Sequence, residues 1–152
     1  MNTDEIRRAL RRVKNSDGVY SIDTLPDRSR LLVCNIDPSH SPGRHWICMC
    51  VENGTGEYFN SFSRPPSDVL RHYMNIMCEH WTFNVRQLQS IVSRFCGHCC
   101  IYYCLLRSGG ITMSEIVTSF SNNTGFNDSM MQQTCENEQT VCYFHTTRPC
   151  YI

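Results

Sequence analysis

The sequence has no apolar run near the roughly 20 residues a membrane-spanning helix needs, so no membrane anchor is expected. Its opening, MNTDEIRRALRRVKNSDG, lacks the hydrophobic stretch of a secretory leader, which points to a reducing compartment. Charge of either sign is not in excess: 14 Lys plus Arg face 14 Asp plus Glu. That balance argues against a generic basic nucleic-acid binder and against an acidic disordered tail. Repeats, low-complexity tracts and long Gly/Ser linkers are all missing, so residues 1–152 are expected to form a single domain. Cysteine, by contrast, is abundant, with 11 residues. The count is odd, so at least one thiol lies outside any intramolecular disulfide. The cysteines are expected to be reduced and mostly to behave as small apolar residues. With 41% hydrophobic residues, the chain can build a core.

Thr3 to Lys14 reads as an amphipathic helix, with Thr3 as N-cap candidate, an Ile6/Leu10/Val13 stripe and a basic outer face. Asn15-Ser16-Asp17-Gly18 ends it. Leu31–Asn35 is a short buried-strand candidate. His45–Val51 and Glu57–Phe62 are the clearest strands, joined across Asn53-Gly54, a strong hairpin signal. After Pro65-Pro66, Ser67 caps a helix carrying Val69, Leu70, Tyr73, Met74 and Met77. Trp81–Val85 reads as a strand, Cys96–Arg107 as a helix stopped by Gly109-Gly110, and another helix runs from about Thr112 to Phe120. The tail from Met130 reads as partly helical. This mixture predicts an α+β domain.

The hairpin makes a geometric prediction. A two-residue Asn53-Gly54 turn sets Glu52 against Thr55, hence Ile47 against Asn60 and His45 against Phe62. His45 and Asn60 then share a face, a diagonal step of roughly 7–8 Å apart. Cys96 is the candidate nucleophile, because a helix N-terminus carries free N–H groups and partial positive charge that favour a thiolate. Gly97 leaves space beside the sulfur for a substrate backbone. Gln89, seven residues earlier, is an amide donor for an oxyanion hole. Cys96, His45, Asn60 and Gln89 together make a complete thiol-hydrolase set. Two rival bases are weaker. His80-Trp81 has no amide or acid across a hairpin, and His98 is offset from Cys96 by two residues on a helix. Zinc on Cys96-Gly97-His98-Cys99 lacks the second paired spacing that structural sites use.

At these residues the chain resembles the adenain-like cysteine proteases, the maturation proteases of adenoviruses and of adomavirus, adintovirus and Polinton relatives. The resemblance runs through His45-Trp46, Phe59-Asn60-Ser61-Phe62, Gln89 and Cys96-Gly97, in that order. Gly18-Val19-Tyr20-Ser21 through Thr24-Leu25-Pro26, Asn127-Asp128-Ser129-Met130 and Asn137-Glu138-Gln139 extend it over nearly the whole chain. It implies a papain-like fold of the adenain/ubiquitin-like-protease type, a central mixed sheet flanked by helices. Carried over, Cys96 is the nucleophile, His45 the base, Asn60 its orienting partner and Gln89 an oxyanion donor. Asn60 departs from the family's usual Asp or Glu. An Asn carbonyl still accepts the expected His45 Nδ1–H bond, but lacks charge to stabilise an imidazolium.

The implied activity is maturation of viral or viral-like capsid and core precursors by cleavage after small residues, often Gly. No cofactor is required. Polypeptides are the partners, the enzyme is a monomer, and its locations are the virion and the host nucleus or cytoplasm. Some family members are activated by DNA and by a disulfide-linked peptide. Zero net charge argues against DNA, Cys78 is the candidate peptide-linking residue, and Cys150-Tyr151 is a candidate activating element in cis. The alternatives are a ubiquitin-like-protein protease and an inactive virion structural or binding protein on the same scaffold.

Overall fold

A computed structural model describes residues 1–136 of the chain. The readings on Asn137–Gln139 and on Arg148 to Ile152 lie outside the described residues.

The first helix is α1, Thr3–Leu10. Its cap is Asn2, not Thr3, because a capping box forms: Glu5 N–H donates to Asn2 Oδ1 at 3.0 Å and Asn2 N–H donates to Glu5 at 2.7 Å. It ends at Leu10, earlier than the expected Lys14, although Val13 still reaches the core. A strand absent from the sequence reading follows, β1, Gly18–Ser21. β2 (Leu31–Asn35), β3 (Trp46–Glu52) and β4 (Thr55–Phe59) come next. α2 is Asp68–Met77, β5 is His80–Phe83, α3 is Cys96–Ser108, α4 is Met113–Ser119 and α5 is Thr124–Glu136. Ser67 is the N-cap residue of α2 but its side chain makes no capping bond. Thr112 caps α4 with a full capping box.

The five strands lie in chain order, β1-β2-β3-β4-β5. β1–β2 and β4–β5 are parallel, while β2–β3 and β3–β4 are antiparallel. The sheet is therefore mixed. The β3–β4 register puts Glu52 opposite Thr55 and Cys48 opposite Phe59, as an Asn53-Gly54 turn dictates. Asn53 and Gly54 both take positive φ, the backbone a type I′ turn needs.

Each face of the sheet buries its own core. Val33, Trp46, Cys48, Cys50 and Phe59 pack against α1, α3 and α4 through Ile6, Leu10, Cys99, Cys100, Tyr103 and Ile116. Leu32, Cys34, Ile47, Met49 and Tyr58 face Leu70 and Met74 of α2. Alternation along β2 and β3 thus feeds two layers of helix, which explains why these strands read as continuous apolar runs. Within the α2 stripe, Leu70 and Met74 are buried while Val69 is exposed. One half-buried polar cluster ties α3 to the sheet: Glu57 accepts from Tyr103 Oη at 2.6 Å and from Arg107 Nε at 2.8 Å. No helix among the described residues is long and apolar enough to cross a membrane.

Candidate active site

The β3–β4 ladder stops at Cys48–Phe59, and His45 and Asn60 stand just beyond its open end. There the imidazole meets the amide: His45 Nε2 lies 2.9 Å from Asn60 Oδ1. The amide's orientation is fixed, since Oδ1 also accepts from Phe62 N–H at 3.0 Å and Nδ2 donates to the Arg64 carbonyl at 3.2 Å. Nε2 therefore carries the proton of the neutral ring and donates it to Asn60. This corrects the expectation that Nδ1 would make this bond. Both residues lie past the last ladder pair, Cys48–Phe59, and there the ring presents its distal nitrogen to the amide. Nδ1, left with its lone pair, is buried and makes no hydrogen bond to Cys96 or any other described group. Phe62 backs the ring, with centroids 4.8 Å apart.

Asn84, just past the end of β5, was not singled out by the sequence. Its Oδ1 accepts from Asn60 N–H at 2.8 Å and its Nδ2 donates to Asn60 O at 2.8 Å, so one buried amide clamps both backbone groups of Asn60. Tyr58 opposite Phe83 in the parallel β4–β5 pair brings the two asparagines side by side. The signal was only the matching Phe-Asn ends of the two strands, which becomes legible once their register is known.

Gln89 is 1% exposed. Its Oε1 accepts from Ser61 Oγ at 2.5 Å, and its Nε2 donates to Ser93 O at 3.2 Å and to Ser93 Oγ at 3.3 Å. It thereby ties the strand-end segment after Asn60 to the loop that leads into Cys96. In this arrangement its amide hydrogens are directed to Ser93, and an oxyanion would have to compete for them.

Cys96 opens α3, which packs on β3. No side chain caps this helix, so its first-turn N–H groups are not claimed by a cap. Burial pushes the Cys96 thiol up, and backbone N–H groups of Trp46, Gly97 and Cys96 itself pull it down by less. Trp46 follows His45 directly, so the sulfur from the second half of the chain reaches the start of β3, one residue from the candidate base. His45 is lowered, mainly by burial, against the opposing pull of its Asn60 bond; Arg64 lowers it further and Asp37 raises it. Both directions favour the uncharged forms of the thiol and of the imidazole, against the thiolate–imidazolium pair expected from the sequence, because desolvation opposes the helix terminus. Gly97 also has a different use from the one expected. A Cβ there would meet Met1 Sδ at 3.1 Å, Met1 Cβ at 3.2 Å and Ile6 Cδ1 at 3.3 Å, so its open side is filled by Ile6 of α1 and by Met1.

The other candidates are placed apart from this group. Cys78 is buried at the end of α2, its thiol donating to Met74 O at 3.1 Å. His80 is exposed at the start of β5. His98 packs edge-on to Phe95 with centroids 5.3 Å apart. Among the described residues, no three His, Cys, Asp or Glu side chains gather as a metal site.

No protein-family profile matches the sequence, and no curated protein does either. Solved structures do match. A selenomethionine form of ASFV pS273R protease has a TM-score of 0.46 at 21% identity, covering 66% of this chain and 42% of that one. A second structure of ASFV pS273R protease has a TM-score of 0.57 at 13% identity, covering 83% of this chain and 61% of that one. The chain spans less than two thirds of the length of that protein. At such identity it is the fold that is shared: a mixed five-stranded sheet flanked by helices.

Proposed function

We propose that this chain is a cysteine peptidase with Cys96 as nucleophile and His45 as base. The observation that carries the reading is the His45–Asn60 bond. It protonates Nε2, leaves Nδ1 as a buried lone pair without a partner among the described residues, and does so one residue before the strand that Cys96 approaches. Active-site hydrogen bonds are often long before substrate binds and tighten in the complex.

The steps follow from these atoms. Nδ1 takes the thiol proton as the sulfur attacks the scissile carbonyl carbon. The carbonyl π pair moves to oxygen, and α3 N–H groups, with Gln89 once it leaves Ser93, hold that oxyanion. As the C–N bond breaks, the imidazolium gives its proton to the leaving amine and a thioester remains. Water then adds to the thioester, losing its proton to Nδ1, and the proton returns to sulfur as the acid product departs. Asn60 holds the ring in the productive tautomer throughout. This sequence needs no metal or organic cofactor.

The finer reading is a monomeric protease that matures viral or viral-like capsid and core precursors, in the virion and the infected cell, cutting after small residues. Regulation by a peptide linked to Cys78 belongs to the same reading. A peptide vinyl sulfone ending in Gly tests the core claim. Labelling of Cys96 that disappears in His45→Ala supports the peptidase. Labelling equal in both proteins, or absent from both while the fold is intact, favours an inactive scaffold, a reading that the burial of Cys96 keeps open. Cleavage of ubiquitin-like fusions in preference to short Gly-containing peptides would select the ubiquitin-like-protein alternative.

A further inference from the structure

A cleft of about 630 Å³ opens on the His45–Asn60 side of the site. That volume falls in the range of small-ligand and side-chain pockets. Its apolar wall is Ile36, Phe62, Leu70 and Ile91, and its charged lining is Arg44 and Arg64, with no carboxylate among the described residues. The two arginines are not equivalent. Arg44 donates to Asp37 through both Nη2 at 2.7 Å and Nε at 3.2 Å, so its charge is met inside the protein. Arg64 pairs with no carboxylate among the described residues. Its guanidinium instead lies 5.4 Å from the Phe62 ring centroid, and Phe62 in turn packs at a tilt against His45. An unbalanced cation is thus held one aromatic ring away from the proposed base.

The lip of the cleft is also unusual. Ile91 is 78% exposed and its neighbour Val92 86%, both on the loop between Gln89 and the nucleophile. A bare Ile91 lining the pocket, with an exposed apolar neighbour in the chain, is what an extended peptide would cover.

We propose that this cleft binds a peptide segment carrying an acidic side chain beside an apolar one, with Arg64 reading the carboxylate and the Phe62/Ile91 wall holding the apolar neighbour. Arg64 is then a specificity-determining residue, and the inference rests on the peptidase reading above. A substrate carboxylate at Arg64 would also remove the positive charge that depresses His45, so a matching substrate makes the base stronger as it binds.

The test uses the full chain and fluorogenic peptides that share a Gly at the cleavage point and differ by Glu, Gln or Lys at each flanking position in turn. At one of these positions the wild type is expected to prefer Glu over Lys by about fivefold or more in kcat/KM, the size of a single ion pair in water-like surroundings. Arg64→Glu should invert that preference and Arg64→Ala should flatten it. Comparing ratios within each variant cancels any common effect of Arg64 on His45. A wild type indifferent to charge at every position, or an Arg64→Glu protein that still prefers Glu, overturns the inference and leaves the peptidase reading intact. If no peptide is cut, equilibrium binding of the Glu and Lys peptides to Cys96→Ala protein decides. Glu-selective binding that Arg64→Glu inverts supports the cleft assignment even though the peptidase reading falls, and equal binding of the two peptides overturns it.

Discussion

Replacing Asn60 by Asp puts the missing charge beside the imidazole and separates its two consequences. The Asp oxygen in place of Oδ1 keeps both bonds, to His45 Nε2 and to Phe62 N–H. With unit charges about 4 Å apart, Coulomb's law gives about 1 kcal/mol in water-like surroundings and about 4 kcal/mol at an effective dielectric constant near 20. At about 1.4 kcal/mol per unit, His45 should rise by roughly one unit or more. The wild-type ring sits below its usual 6.5, so its protonation sets an acid limb of kcat/KM below that value. The sign follows: Asp stabilises the imidazolium, so the acid limb moves to higher pH, and the alkaline limb rises with it because thiolate–imidazolium becomes easier to form. The plateau rate should be kept or raised. Stability moves the other way. The second Asp oxygen faces the Arg64 carbonyl where an N–H had donated at 3.2 Å, a loss of about 1–3 kcal/mol for a buried group. Titration of the His45 ring protons by NMR in a Cys96→Ala background, pH–rate profiles and urea unfolding read the three effects separately. A His45 titration that stays put or moves down refutes the reasoning, and a rate loss beyond about tenfold, roughly 1.4 kcal/mol, assigns Asn60 some other role.

Three further outcomes follow. Gln89→Ala should slow peptide cleavage by about 10²- to 10³-fold; a near wild-type rate removes Gln89 from the oxyanion site and leaves it as the brace between Ser61 and Ser93. Asn84→Ala orphans the N–H and C=O of Asn60 together, so urea unfolding should show a loss of about 2–4 kcal/mol, with a lower kcat because Asn60 is no longer held. Gly97→Ala pushes a methyl against Met1 and Ile6, and thermal unfolding should register a loss of about 1–2 kcal/mol.

The hairpin was the most legible part of the chain. An Asn-Gly turn admits few registers, so the sharing of a face by His45 and Asn60 follows from local chemistry alone. Cys96 at a helix start was readable for a similar reason, as the polar Ser93-Arg94 gives way to an apolar helical run. What escaped is what depends on distant partners. β1 is four residues whose strand character comes only from pairing with β2, and no local pattern announces it. The His45 nitrogen that faces Asn60 depends on where the ladder ends, which is a tertiary matter. Helix α1 stops early because the capping box at Asn2 and Glu5 sets its start and the chain turns away after Leu10. Likewise, α5 begins at Thr124, ahead of the tail from Met130 that was expected to be partly helical, since its faces carry little apolar contrast. A helix terminus is visible in sequence, whereas the burial that opposes a charged Cys96 is not.

The sulfur-rich interior has a practical corollary. The eight cysteines with described side chains, Cys34, Cys48, Cys50, Cys78, Cys96, Cys99, Cys100 and Cys104, are all buried as free thiols. They are spread over β2, β3, α2 and α3, and Cys104 and Cys48 touch across the sheet–helix boundary with sulfurs 3.8 Å apart. Because a thiol reacts only when water and reagent reach its ionised form, each one is a built-in stopwatch for the opening of its own layer. Mass-spectrometric timing of alkylation, residue by residue, would chart which layer parts first, with no probe added to the molecule.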